Sequence, residues 1–140
     1  MTDRSVIGPL RFKLRIAGKD DFGGLDVVSI TAKATGQATW EAGVLTIEWA
    51  EETRVEEVSF DKIRVEVIPK PPLALDIAQA EIADATLRGW WRPRLRLTPR
   101  YLGAFMAVPG ATATHVDLFI ARRDRPLAAE LASACLGRPA

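Results

Sequence analysis

The feature that most constrains this chain is the alternation of apolar and polar residues that recurs along most of its length. A period of two is typical of a strand with one buried face, and here turn residues separate such stretches roughly every eight to twelve positions. No alternation of strand-like and helix-like segments is present, which argues against a parallel Rossmann-type sheet. The pattern predicts a mainly-β fold, a small antiparallel barrel or sandwich. The predicted inward residues are Phe12, Leu14 and Ile16; Val28, Ile30, Ala32 and Ala34; Leu45, Ile47 and Trp49; Ile63, Val65 and Val67; Leu73, Leu75 and Ile77; Leu95 and Leu97; and Val116, Leu118 and Ile120.

The period changes to that of a helix only near the C-terminal end. Apolar residues recur there at helical spacing, which predicts one amphipathic helix over residues 124–136. Asp124 suits the N-cap, Pro126 the first turn, and Gly137 the position where the helix stops. We expect this helix to cap one opening of the barrel. Its predicted apolar face consists of Leu127, Leu131, Ala134 and Cys135, with Leu127 and Leu131 filling the opening.

The length of the chain and the lack of a long linker in its sequence indicate a single domain. The 140 residues can bury a core without metal or disulfide support. We expect an N-terminal extension over residues 1–26, a barrel over 27–121 and the capping helix. Turn or irregular segments are expected at 19–24, 69–72 and 101–108 because glycine, proline or short apolar runs interrupt the alternation there.

Composition indicates which classes of partner and which cellular compartment fit this chain. The net charge is +1, from 19 basic and 18 acidic residues, so no overall field attracts nucleic acid. The single cysteine, Cys135, excludes an internal disulfide and fits a reducing compartment. The first residues lack the apolar run of a signal peptide, and no apolar stretch reaches the roughly 18 residues of a spanning helix. A cytoplasmic protein is therefore expected.

Charge is unevenly distributed along the chain. Residues 48–66 contain seven acidic and three basic residues, or −4, whereas residues 88–100 contain five arginines and no acid, or +5. Two interpretations are open. The two segments could pair across the barrel as exposed ion pairs, or the basic segment could meet an anionic partner.

Residues 89–100 carry the most distinctive chemistry. At period two, Trp91, Pro93, Leu95 and Leu97 are predicted to face the core, and the opposite face carries Trp90, Arg92, Arg94, Arg96 and Thr98. Tryptophan and arginine are enriched at protein-binding hot spots, so we expect a partner protein or self-association through an exposed strand. Peripheral binding to anionic lipid headgroups is the alternative function. A purely structural role is also open, in which Trp90 packs under a loop at the end of the strand. The candidate partner-binding residues are Arg88, Trp90, Arg92, Arg94 and Arg96.

Catalytic signatures are sparse. His115, the only histidine, precedes Asp117 on one strand face, so a small enzyme with His115 as its base is a further alternative. Cys135 lies on the apolar face of the predicted helix and is expected to pack in the core. One histidine and one cysteine cannot supply the common zinc ligand sets, and Gly23 and Gly24 lack the partners of a phosphate-binding loop. We therefore expect a non-catalytic module without metal or cofactor.

Four short stretches resemble parts of a known superfamily. Residues 43–47, 80–85, 91–97 and 120–125 are similar, in order and type, to those of pleckstrin-homology-like (PH-like) barrels, which include GRAM-type modules and small bacterial proteins. The resemblance covers residues 27–136 and implies an antiparallel barrel closed by a C-terminal helix, with a binding or scaffolding role. Lipid-binding members carry a basic cluster where residues 32–43 have only Lys33 and add Glu41, so their route to phosphoinositides is not implied. The predicted helix also lacks the tryptophan often found in the family's terminal helix.

Overall fold

The structure is a computed structural model that describes residues 6–14, 16, 19–23 and 26–137. The residues described form nine strands and one α-helix, and every strand pairing is antiparallel. The predicted mainly-β, antiparallel fold with a C-terminal helix is confirmed. The elements are β1 (Ile7–Leu14), β2 (Lys19–Gly23), β3 (Asp26–Glu41), β4 (Val44–Val58), β5 (Ile63–Pro69), β6 (Leu73–Ala78), β7 (Ile82–Arg88), β8 (Arg94–Pro99), β9 (Val116–Phe119) and α1 (Arg125–Cys135).

Two long strands, β3 and β4, divide the sheet into two parts. The later half of β3 pairs with β1 and its earlier half pairs with β2, while β4 pairs first with β6 and then with β5. We call the strands in the order β6-β4-β3-β1-β9-β8-β7 the core sheet. The wing is the part formed by β2, residues 26–33 of β3, residues 51–58 of β4, and β5.

The inner face of the core sheet is lined largely as the alternation predicts, but Leu73 at the start of β6 and Ile30 in the wing, both predicted to face inward, are 57% and 37% exposed. Buried side chains follow one another at every second position of β1, β4, β8 and β9, and α1 packs over β7, β1 and β3. Leu131 and Cys135 are buried as expected, whereas Leu127 and Ala134 are only partly buried. The remaining inner positions of the helix are filled by Ala128 and Ala132. The helix therefore covers the core sheet mainly through Leu131 and small residues.

Two described segments near the N-terminus belong to the sheet. β1 lies between β3 and β9, so strands of the sheet already occur before residue 27, where the barrel was expected to begin. The turn expected over 19–24 is also wrong, because residues 19–23 form β2 and pair with β3; Gly24 lies outside the described residues. Cross-strand pairing with the long β3 gives both segments backbone partners.

The orientation predicted for β5 is wrong. Val58 lies opposite Ile63 across the hairpin, so Ile63, Val65 and Val67 share the sheet face of the even-numbered residues of β4. The core-facing residues of β4 are the odd-numbered ones, such as Ile47. Since the wing also extends past the core, these three side chains are 74%, 46% and 49% exposed. Every residue of β5 is exposed.

The segment over residues 101–108 is the irregular cover that was expected. Backbone N–H groups of Ala104, Met106 and Val108 donate to carbonyls three residues earlier, at 3.2, 3.2 and 2.9 Å. Phe105 and Val108 insert into the core from this cover. Within the residues described, no helix has the length and apolarity needed to cross a membrane.

Candidate functional site

The two tryptophans of the basic segment lie on a loop and not on a strand. β8 begins only at Arg94, and residues 89–93, which we call the Trp loop, connect it to β7. Gly89 has φ +81°, and a Cβ there would lie 2.6 Å from the carbonyl oxygen of Arg92, so the turn is too tight for a side chain. Trp90 and Trp91 are 69% and 64% exposed. The core position predicted for Trp91 is therefore wrong, because the strand alternation does not extend through the turn.

A guanidinium from another part of the chain stacks on both indoles. Cζ of Arg122 lies 5.2 Å from the ring centroid of Trp90 and 4.5 Å from that of Trp91. The two rings are 6.0 Å apart and inclined by 34°. A cation over an aromatic face is attracted by about 0.5–1 kcal/mol at exposed sites. Arg122 thus joins the two indoles into one surface.

A second arginine holds the loop backbone. Nη1 of Arg125, the first residue of α1, donates hydrogen bonds to the carbonyl oxygens of Gly89 (3.0 Å) and Trp90 (2.9 Å). The N–H of Ile120 donates to the carbonyl of Pro93 at 3.1 Å. These bonds fix both ends of the Trp loop against the segment that enters the helix. The loop is therefore held in one shape before any partner binds.

The two strand arginines of the basic segment meet an acid from β9. Arg96 lies opposite Asp117, and two of its guanidinium nitrogens donate to the carboxylate, Nε to Oδ1 at 2.8 Å and Nη2 to Oδ2 at 3.0 Å. Nε of Arg94 lies 3.7 Å from Oδ2, and Nε2 of His115 lies 3.8 Å from the same oxygen. In the described part of the chain, the buried Nε of Arg94 has no hydrogen-bond partner. This Asp117 cluster is a structural ion-pair network on the outer face of the core sheet.

Electrostatics keep this cluster ionised. Burial raises the pKa of Asp117, but the hydrogen bond from Arg96 and the charges of Arg96, His115 and Arg94 outweigh it, and the pKa lies below its ordinary value. The hydrogen bond to Asp117 raises the pKa of Arg96. Both partners are therefore charged at neutral pH.

Replacing Asp117 by asparagine should destabilise the fold by about 1–2 kcal/mol near neutral pH, because two partly buried arginines lose their counter-ion. The folded-state pKa of Asp117 is below its unfolded value, so its contribution is complete above the unfolded pKa and is lost as pH falls through the folded pKa. Urea unfolding at about pH 7 and about pH 2.5 measures this. The gap between wild type and variant should shrink at the lower pH, and a gap that stays constant contradicts the assignment. Asp61→Asn, in the exposed hairpin between β4 and β5, is the control.

The five predicted binding residues thus fall into two groups. Arg88, Trp90 and Arg92 are exposed at or beside the Trp loop, whereas Arg94 and Arg96 are paired with Asp117. Sequence reasoning missed Arg122 and Arg125, which hold the loop. The available signal was the run of three arginines in residues 122–125, placed directly before the helix.

The acidic segment does not neutralise the Trp loop in the residues described. The ion pairs that the acidic segment forms there stay within the wing or beside it, joining Glu51 to Lys70, Glu52 to Lys33 and Glu56 to Arg54 at 3.3, 3.6 and 3.0 Å. Around the Trp loop, residues 88–92 and 122–125 contain five arginines and one aspartate, a balance of +4. The loop therefore presents two indoles within a positive surround.

The other candidate catalytic or metal-binding side chains are His115, which has local partners, and Cys135, which is buried. Nδ1 of His115 lies 3.0 Å from Oγ1 of Thr114, and Asp117, the acid that would orient His115 as a base, is bound to Arg96. Cys135 is buried, and burial raises the pKa of its thiol to about 12, so the thiol is protonated and packs as expected. Among the residues described, no group of three or more His, Cys, Asp or Glu side chains is placed to hold a metal ion.

An open groove of about 730 Å³ lies between β1, β3, β4 and the segment entering the helix. Phe12 and Trp49 line it on the apolar side, and Arg11, Lys13 and Arg123 contribute positive charge. The buried Nε1 of Trp49 has no hydrogen-bond partner in the part of the chain that the structure describes. Glu48 and Asp124 also line the groove, so its charged residues are of both signs.

Known proteins add no further guide to the site. Comparisons of the chain with protein-family models, with curated proteins and with solved structures find no match. The functional argument therefore rests on the geometry of the Trp loop, on which exposed aromatic surface, fixed backbone and uncompensated charge coincide.

Proposed function

We propose that this chain is a non-catalytic binding module that docks a partner protein on the Trp loop. The observation that carries the proposal is the pair of neighbouring indoles, more than half exposed and held under Arg122. Exposed tryptophan next to arginine is the composition of interface hot spots, where truncating one side chain costs about 2 kcal/mol or more. Because Arg125 already fixes the loop, little conformational entropy is lost on binding.

The charge around the loop indicates the chemistry of the partner. With five arginines against one aspartate in residues 88–92 and 122–125, an acidic surface with an apolar or aromatic centre is complementary. The indoles would bury against that centre, while the arginines at the rim would speed association. Binding should therefore weaken as salt is raised.

Anionic lipid headgroups are the second candidate, favoured by the same geometry. Indoles suit the membrane–water interface, and arginines near an anionic surface contribute about 1 kcal/mol each. The partner protein is preferred because the loop is fixed and stacked, as in a preformed hot spot. We also propose that the module is a divergent bacterial PH-like barrel of the cytoplasm, supported by the antiparallel sheet followed by a terminal helix.

The test compares the intact chain with the double variant Trp90→Ala/Trp91→Ala in affinity capture from an extract of the source cell. A specific protein should be captured by the wild type and lost with the double variant. With that protein purified, the affinity should fall about 30-fold or more, since removing a hot spot costs about 2 kcal/mol. Leu102→Ala, an exposed apolar change at the other end of β8, is the matched control and should bind normally.

Vesicle co-sedimentation separates the two candidates. Vesicles of phosphatidylcholine with and without about a third phosphatidylserine are offered to the same variants, and the proposal expects no dependence on the anionic lipid. Binding that needs phosphatidylserine and disappears with the double variant would instead establish the lipid surface as the ligand. Identical captured proteins for wild type and double variant would contradict the docking role of the loop.

A further inference from the structure

The outer strand of the wing is an unprotected sheet edge. β5 stands at one end of the strand order and, among the described strands, pairs with β4 alone. Its register against β4 runs without a shift from Val58↔Ile63 to Glu52↔Pro69. Natural sheets usually shorten, bulge or cover such edges because unpaired backbone groups attract another strand. Along Ile63–Pro69 only the terminal proline interrupts the edge.

The direction of the backbone groups along β5 follows from the bonds at its ends. The N–H of Lys70 donates to Glu51 at 3.0 Å, and the carbonyl of Lys62 accepts from Ser59 at 2.9 Å. Backbone groups alternate in direction along a strand, so the even-numbered residues between them also face β4. Ile63, Val65 and Val67 therefore direct their N–H and C=O groups to the open edge.

The side chains of the same three residues form an apolar row. Ile63, Val65 and Val67 share one face with Val58, and all four are exposed. Arg64 and Glu66 lie on the opposite face, two positions apart. The edge thus combines free backbone groups, apolar side chains and one charge of each sign.

We propose that β5 pairs in antiparallel fashion with β5 of a second copy, about a two-fold axis at Val65. Val65 then faces its own counterpart, Ile63 faces Val67 of the second copy, and each such pair exchanges both N–H···O bonds. Arg64 faces Glu66 of the second copy, and this ion pair occurs twice because a two-fold interface repeats every contact. Apolar groups meet apolar groups on the other face.

The charges select this register over its neighbours. Moving the axis to Arg64 places Arg64 against Arg64 of the second copy, with Lys62, just before the strand, opposite Glu66, and moving it to Glu66 places two glutamates together. Of these three axes, only the one at Val65 makes every pair of charges within β5 attractive. Like charges directly opposite each other destabilise a sheet, while opposite charges and apolar pairs each contribute about 0.2–1 kcal/mol. A second copy of this chain is therefore the occupant that the edge fits best, independently of the partner on the Trp loop.

The test is the oligomeric state of the full chain, measured by sedimentation equilibrium over micromolar to submillimolar concentrations. The wild type should reach twice the mass of one chain. Arg64→Glu or Glu66→Arg alone turns two attractive pairs into two repulsive ones, so each should weaken the dimer roughly tenfold or more. The double exchange Arg64→Glu/Glu66→Arg should restore it, and an equimolar mixture of the single variants should form a mixed dimer.

Two controls separate pairing from damage to the fold. Lys62→Glu makes the same charge change but faces Ile68 in the proposed register, so it should leave the dimer intact. Val65→Pro removes an N–H that points away from β4 and should give a folded monomer with a nearly unchanged melting temperature. A wild type that stays monomeric overturns the proposal, as does a dimer that Arg64→Glu leaves unchanged or that Lys62→Glu weakens equally. A dimer that also dissociates with Trp90→Ala/Trp91→Ala overturns it too, because the contact then lies on the Trp loop.

Discussion

Replacing Leu131 by aspartate is expected to unfold the protein. Leu131 is fully buried on the inner face of α1, where that helix covers the core sheet. The change loses about 1.5–3 kcal/mol of apolar burial, and a carboxylate with no partner there costs several kcal/mol more. A domain of this kind is stable by only about 5–15 kcal/mol. Circular dichroism should show loss of the cooperative thermal transition.

Two further variants make the result specific to the position. Leu102→Asp introduces the same charge at an exposed residue and should melt close to the wild type. Leu131→Ala removes only the packing, and should lower the free energy of unfolding by about 2–5 kcal/mol while the chain stays folded. If Leu131→Asp melted at the temperature of Leu102→Asp, the packing of the helix against the sheet would be wrong.

Most core residues could be predicted because the alternation that marks them lies within single short strands. Leu95 and Leu97, or Val116 and Leu118, alternate with polar neighbours, and all four are buried where the period placed them. The same alternation in β5 failed, since a period of two separates the two faces of a strand without saying whether either face meets the core. The hairpin register places Ile63 opposite Val58, away from the core-facing side of β4, and every residue of β5 is exposed because the wing extends past the core.

The candidate site depends on contacts that no short segment contains. Trp91 fits the strand pattern, but the turn at Gly89 takes it out of the strand, and only the folded chain shows where β8 begins. Arg125 reaches the loop across 35 and 36 residues of sequence, and Arg96 reaches Asp117 across 21. Tryptophan and arginine in the sequence indicated a binding surface. Only the folded chain shows that Arg94 and Arg96 are paired with an acid.

Gly36 lies where three strands pack so closely that no side chain fits, and the local sequence does not predict this. Gly36 lies in β3 opposite Phe12 on one side and Trp49 on the other, in line with the inward residues Ala34 and Ala38. A Cβ on Gly36 would overlap the backbone carbonyl oxygen of Glu48 and lie 2.8 Å from Cζ of Phe12. The ring of Phe12 therefore packs on bare backbone, and the neighbouring strand approaches too closely for any side chain.

Gly36→Ala should accordingly destabilise the fold by about 3 kcal/mol or more, at or above the upper end of typical overpacking costs, because the obstacle is backbone and cannot rotate away. Gly43→Ala is the matched control: a Cβ there meets nothing within 4 Å, and only its φ of +78° opposes the change, at about 1–2 kcal/mol. Urea unfolding followed by tryptophan fluorescence compares the two variants. Adding Phe12→Leu to Gly36→Ala should recover little stability, because the contact with Glu48 remains. Equal losses for the two glycine variants would show that β3 and β4 are farther apart at Gly36 than the structure places them.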